Sequence, residues 1–238
     1  MLDEQFSRTA ALLGEEAVER LSLARVAVFG IGGVGGHVCE ALARSGVGEL
    51  VLFDRDVVSR SNINRQIIAL HSTVGRPKVE VMRDRVLDIN PDAVVETHQI
   101  FYTPENADTV PLEGFDFIAD CIDTVSAKIE LICRAQAAGV PIISAMGAGN
   151  KLDPSCFRVT DLAKTEGCPL ARVMRVSLRK RGITHLPVVF SPEPPAAIRG
   201  ATPEEANRRS TPASVAYVPS VAGLVMAGEI IRRLTMKE

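Results

Sequence analysis

The chain has 238 residues, 46% hydrophobic and 24% charged, the mix of an ordinary globular protein long enough to bury a sizeable core. With 27 Lys and Arg against 29 Asp and Glu the net charge is −2, so no whole-molecule field draws nucleic acid; any RNA contact has to come from a local basic patch. No run of about 18 consecutive apolar residues occurs and the acidic start Met1-Leu2-Asp3-Glu4 is not a signal peptide, so no membrane span and a cytoplasmic location are expected.

In chain order, residues 8–21 place Leu12, Leu13, Ala17, Val18 and Leu21 at helical spacing and predict one amphipathic helix. Arg25-Val-Ala-Val-Phe-Gly30 is a short apolar run ending in glycines, as in a buried parallel strand. A helix over 34–44 and a strand over Glu49-Leu-Val-Leu-Phe-Asp54 complete a β-α-β unit. Pro77 opens a helix with Val79, Met82, Val86 and Ile89 on one face, and Asn90-Pro91 ends it. Strands follow at 94–100, 115–120 and 141–145, with a helix over 125–138 stopped by Gly139. This alternation predicts an α/β fold, a doubly wound, mostly parallel sheet of Rossmann type, with strand order undetermined.

The last third predicts a strand at 157–160, a helix over 170–181, a strand at 188–190 and a final helix from near Pro219. Pro192, Pro194, Pro195, Pro203 and Pro212 mark a surface loop over 191–213, expected to be mobile or ordered by a partner. No repeat and no separable second domain is visible, so one domain over 1–238 is expected. Cys39, Cys121, Cys133, Cys156 and Cys168 are odd in number and show no Cys-x-x-Cys pair, which argues against a disulfide framework or a structural zinc site.

Gly30-Ile-Gly32-Gly33-Val-Gly35 lies between a strand and a helix. Such glycines allow a tight turn and close backbone approach to a phosphate, and the helix N-terminus offers free N–H groups. Asp54 ends the next strand, where an acid can accept from ribose hydroxyls. That pattern says nucleotide and serves a nicotinamide dehydrogenase equally well. The dense polar run that follows, with Asp54, Asp56, Asn62, Arg65 and Gln66, and then Lys78 at a helix start, is what a dehydrogenase does not need. Splitting ATP at its α-phosphate needs cations such as Arg65 and Lys78, and carboxylates to hold Mg²⁺. Asp120 and Asp123, at the end of a strand, are expected to face the ligand crevice of an open α/β sheet.

The glycine turn, Asp54, Ser61-Asn62-Ile-Asn-Arg65-Gln66, Lys78 and Asp120-Cys-Ile-Asp123 resemble the superfamily of MoeB, ThiF and the ubiquitin-activating enzymes. The resemblance implies that Asp54 holds the ribose, that Asn62, Arg65 and Lys78 contact the triphosphate and that Asp123 binds Mg²⁺. Arg8, in Phe6-Ser-Arg-Thr9, looks like the N-terminal arginine that reaches the phosphates of the other subunit of a homodimer.

The paired Cys-x-x-C zinc ligands of the sulfur-carrier-activating branch are missing. Thr160-Asp161-Leu-Ala-Lys164-Thr165, Cys168-Pro-Leu-Ala-Arg-Val-Met-Arg175 and Val218-Pro-Ser-Val-Ala-Gly223 are closer to the tRNA threonylcarbamoyladenosine dehydratase family. That resemblance implies an ATP-dependent ligase-type reaction: adenylation of a carboxylate on tRNA and ring closure with loss of AMP. A sulfur-relay protein is a candidate partner. The rival readings are a sulfur-carrier or ubiquitin-like protein adenylyltransferase and a non-catalytic nucleotide-binding scaffold, the latter disfavoured by the complete set Arg65, Lys78 and Asp123.

Arg172, Arg175 and Arg179 share one face of the predicted helix, with Lys180 and Arg181 adjoining. Solvation is the default for such a face, and a tRNA substrate makes it a candidate phosphate-binding patch, with Arg208 and Arg209 of the proline-rich loop as candidate additions. Cys168, just before this helix, reads as an incidental cysteine rather than a nucleophile, because closure by an internal atom needs no enzyme thiol.

Overall fold

The structure, a computed structural model, describes residues 3–200 and 212–236. The strands are β1 (Arg25–Phe29), β2 (Glu49–Phe53), β3 (Val94–His98), β4 (Phe117–Asp120), β5 (Ile142–Ala145), β6 (Arg158–Asp161) and β7 (Pro187–Phe190). They form one sheet in the order β3-β2-β1-β4-β5-β7-β6. Every pairing is parallel except that of β6 with β7. The helices are α1 (Ser7–Leu13), α2 (Glu15–Leu23), α3 (Gly35–Arg44), α4 (Lys78–Ile89), α5 (Val125–Ala138), α6 (Pro169–Arg179) and α7 (Tyr217–Thr235). None of the described helices is long and apolar enough to cross a membrane.

Successive strand residues point to opposite faces, and each face has its own core. Val26, Val28, Leu50, Leu52, Phe117 and Ile143 pack with α3, α4 and α7. Ala27, Phe29, Val51, Phe53, Ile118 and Ile142 pack with α5 and α6. Burial on both faces is why these strands read as continuous apolar runs.

The chain lays β1, β2 and β3 outward in one direction and then returns to place β4 on the other side of β1. The crevice outside the carboxyl ends of β1 and β4 is therefore the switch point where ligands bind in such sheets. The carboxyl ends of β1, β2 and β3 are joined by a stack of rings: Phe29 on Phe53 at 4.2 Å and Phe53 on His98 at 4.6 Å, each pair being register partners.

The single helix expected over 8–21 is two. Gly14, at φ 92° and ψ 152°, lies outside helical space and breaks it, and its N–H caps Ala10. Ala17, Val18 and Leu21 are buried while Leu12 is 85% exposed, so the apolar positions do not form one stripe. The final helix starts at Tyr217, with Pro219 in its first turn, where no N–H is needed. It crosses the start of α3 at backbone contact: a Cβ on Gly223 would lie 2.4 Å from the Val34 carbonyl oxygen.

Candidate nucleotide-binding site

The four glycines of the turn after β1 do different work. Gly30 has φ 90°, and a Cβ there would lie 2.7 Å from the Cys121 carbonyl oxygen. A Cβ on Gly35 would lie 1.8 Å from the oxygen of Gly30, so the turn closes on itself only with glycine. A Cβ on Gly33 would lie 3.1 Å from the Pro219 ring of α7. Gly32 has no such reason: the nearest atom to its added Cβ is Gln66 Nε2, at 3.9 Å. Among the described residues nothing fills the space at Gly32, in the turn that leads into α3, whose N-terminus offers free N–H groups to an anion.

Asp54 follows β2 and is woven into this turn. Its carboxylate accepts from Ile31 N at 2.7 Å and from Asp56 N at 2.8 Å. Burial pushes its carboxyl above the usual range, against the opposing pull of Lys78 and the two backbone donors. Lys78 opens α4, only 5% exposed, with Nζ 2.9 Å from Asp56 Oδ2. Asp56, expected to touch the cofactor, is paired with Lys78 and half exposed beside it.

The polar run becomes a short turn, Arg60–Asn62, closed by a capping box in which Asn62 Oδ1 accepts from Ser59 N at 3.1 Å. Arg65 donates from Nη1 to Ser61 O at 2.9 Å and to Asn64 Oδ1 at 2.8 Å. Its Nε and Nη2 make no hydrogen bond among the described residues. Gln66 is 7% exposed: its Nε2 is the atom that faces Gly32, and its Oε1 is buried without a partner among the described residues. A buried amide oxygen with no donor is costly, so a ligand donor is the natural complement. An open cavity of about 300 Å³ borders the same turn, among His37, Arg65, Gln66, Tyr217 and Ser220.

At the end of β4 the two acids part ways. Asp120, expected to face the crevice, is 0% exposed: it pairs with Lys128 of α5 at 2.9 Å and accepts from Ser144 Oγ at 2.6 Å. Lys128 also donates to Ile122 O at 3.1 Å, so this buried pair pins the loop that carries Cys121 against Gly30 and Asp123 into solvent. Burial, and then the Asp120 charge, push the Cys121 thiol up to about 12, which leaves it inert. Lys128 was legible only as a charge on the apolar face that Leu131, Ile132 and Ala135 continue.

Other expected residues lie apart from this cluster. Arg8 is exposed on α1 and has no partner among the described residues. Phe6, just before it, packs on Gly46 beyond the far end of α3, a helix about 15 Å long. Cys168 is 5% exposed and packed into the α5–α6 core. Of the basic face of α6, Arg175 turns inward: its Nη1 donates to Thr165 Oγ1 at 2.5 Å, Thr165 O at 2.8 Å and Leu162 O at 3.3 Å. Arg172, Arg179, Lys180 and Arg181 are exposed. Arg208 and Arg209 lie outside the described residues.

Known proteins resemble this chain in sequence and fold. The ThiF family model matches residues 6–238. The tRNA threonylcarbamoyladenosine dehydratase of Bacillus subtilis is 44% identical over 97% of this chain and 94% of its own length. The crystal structure of the Escherichia coli enzyme of that name, in complex with ATP, superposes with a TM-score of 0.87 at 35% identity, over 97% of this chain and 93% of that one. The molybdopterin-synthase adenylyltransferase of Escherichia coli is 36% identical over 66% of this chain and 60% of its own. A family model that matches nearly the whole chain, and a relative 44% identical over nearly the full length of both proteins, show that the chain belongs to the ThiF family.

Proposed function

We propose that this chain is an ATP-dependent dehydratase acting on threonylcarbamoyladenosine in tRNA: it adenylates the carboxylate of that group and closes it into a ring, releasing AMP and pyrophosphate. The likeness to a dehydratase over nearly the full length of both chains carries this reading. The site supports it with a glycine turn open to phosphate and cations beside it.

ATP lies with its phosphates over Gly32 and the α3 N-terminus and its ribose on Asp54. Gln66 Oε1 and the Asn62 amide face it from the turn. Arg65 presents its free Nε and Nη2, and Lys78 its ammonium, where negative charge builds on the departing phosphates. A carboxylate oxygen of the substrate attacks the α-phosphorus and the bond to pyrophosphate breaks. An internal nucleophile of the same group then attacks the activated carbonyl, loses its proton, and expels AMP with the carboxylate oxygen. The substrate is one water lighter. Activation matters because carboxylate oxygen leaves poorly and AMP leaves well. Mg²⁺ held by Asp123 and by the phosphates would neutralise the leaving pyrophosphate; such an ion takes one or two carboxylates and completes its shell with phosphate and water.

The exposed Arg172, Arg179, Lys180 and Arg181 meet tRNA phosphates, and Arg8 reaches the phosphates bound by a second copy in a homodimer. Incubation with ATP, Mg²⁺ and threonylcarbamoylated tRNA, followed by weighing of the nucleosides, tests the proposal. The expected result is a modified adenosine lighter by one water, with AMP and pyrophosphate in equal amounts. An unchanged nucleoside, or release of ADP, contradicts it.

A further inference from the structure

Arg65 is anchored by one nitrogen only, and one of its two acceptors, Asn64 Oδ1, belongs to a side chain that is itself tied elsewhere. The other end of that amide, Nδ2, donates to Ser214 O at 3.0 Å, 150 residues along the chain. Ser214 is held in turn by its neighbour. Ala213 N donates to Asn150 Oδ1 at 2.7 Å, and Ala213 O accepts from Asn150 N at 2.8 Å.

Asn150 is the one non-glycine residue with positive φ, 56°, among the described residues. That conformation is tolerated by Asn and is kept where surrounding bonds over-determine it. Here they do. Asn150 O accepts from Ala196 N at 2.7 Å, and Pro212 lies 2.5 Å from where a Cβ on Gly149 would be. Lys151, 4% exposed, donates to the carbonyls of Ser191 at 3.3 Å and Glu193 at 2.5 Å. The turn after β5 therefore clamps both limbs of the excursion between β7 and α7, and the returning limb presents Ser214 O to Asn64.

We propose that Asn64 is a positioning residue for Arg65, and that Asn150 sets its place through the Ala213–Ser214 limb. A guanidinium on a flexible stem has many rotamers to lose when it binds. Holding Nη1 between Ser61 O and an amide that cannot swing leaves Nε and Nη2 aimed before ATP arrives. An amide suits this link because it accepts at one end and donates at the other. The inference rests on the ATP-cleaving reading of the site.

The test is a double-mutant cycle on kcat and KM for ATP, measured as pyrophosphate release with threonylcarbamoylated tRNA. Asn64→Ala, an exposed change, is expected to fold normally and to lose about tenfold in kcat with KM for ATP moved by less than about threefold. In the Arg65→Ala background the same change is expected to cost nothing further. Asn150→Gly keeps the positive φ, removes the bond to Ala213 N, and is expected to lower kcat in the same direction by about threefold or more. Additive losses in the double variant, or wild-type kcat in Asn64→Ala, overturn the proposal alone. Wild-type kcat in Arg65→Ala overturns the reading of the site and this proposal with it.

Discussion

Each glycine of the turn after β1 answers to a different neighbour, and that separates folding from binding at single-residue resolution. A methyl on Gly35 meets the Gly30 carbonyl oxygen at 1.8 Å, whereas among the described residues one on Gly32 meets just the tip of Gln66, at 3.9 Å. Gly35→Ala is therefore expected to accumulate as insoluble or unfolded protein. Gly32→Ala is expected to keep the wild-type thermal midpoint and to weaken ATP binding by about tenfold or more in calorimetry, since the added carbon occupies the space left for phosphate. Undiminished ATP affinity in a folded Gly32→Ala protein would place the phosphates elsewhere. The motif in the sequence named all four glycines alike, because a pattern of spacings carries no record of which neighbour comes close. The same limit hid the division between Asp120 and Asp123. Asp120 is the last residue of β4 and Asp123 lies in the loop just after it, and it is Lys128 of α5 and Ser144 of β5 that hold the first inward.

At the scale of elements, α6 and α3 each make a prediction. Arg175 of α6 ties its helix to the Leu162–Thr165 turn, while Arg172 and Arg179 stand free in solvent. Replacing Arg172 and Arg179 together is expected to weaken tRNA binding and to lower the salt dependence by up to about two counterions, with ATP binding untouched. Arg175→Ala is expected to act on stability, by about 1–3 kcal/mol in denaturant unfolding, because it leaves inward carbonyls without their charged donor. An unchanged salt slope in the first variant would return this face to plain solvation.

In α3, Glu40 is 7% exposed and accepts from Arg44 at 2.8 Å and from Arg85 of α4 at 2.6 Å. Burial raises its carboxyl, and the two arginines together outweigh that and hold it below the ordinary 4.5. A lowered folded value means the stabilisation is fully present above 4.5 and is lost as pH falls through the folded value. Glu40→Gln is expected to lose about 1–3 kcal/mol at neutral pH, a difference that shrinks toward zero on acidification. A gap independent of pH would mean that packing, not charge, holds this joint. The helix and strand positions around it were legible from apolar spacing, save for the break at Gly14, where a positive φ that no pattern announces splits one helix into two.

On the scale of the whole molecule, the doubly wound sheet followed from the alternation of strands and helices, whereas its switch point rests on the strand order, which that alternation leaves open. The antiparallel β6 edge and the clamp at Asn150 did not, because both join segments distant in sequence. Arg8 raises a question one subunit does not answer, since its segment is anchored by Phe6 beyond the far end of α3. If Arg8 serves a neighbour's phosphates, mixing Arg8→Ala with Asp123→Ala is expected to restore up to about a quarter of wild-type activity per site after subunit exchange, since half of mixed-dimer sites are intact. A monomer in solution, or no recovery once exchange is confirmed, makes Arg8 an ordinary surface residue.

The claim on which everything else depends is that ATP is cleaved by direct attack of the substrate carboxylate on the α-phosphorus. Labelling that carboxylate with heavy oxygen in threonylcarbamoylated tRNA, and weighing the nucleotides after turnover, tests it most directly. Attack followed by ring closure leaves one carboxylate oxygen on the phosphate of AMP, so AMP is predicted to carry one heavy oxygen per turnover from fully labelled substrate and pyrophosphate none. Label found in pyrophosphate or inorganic phosphate, or AMP with no label at all, would contradict the adenylation mechanism.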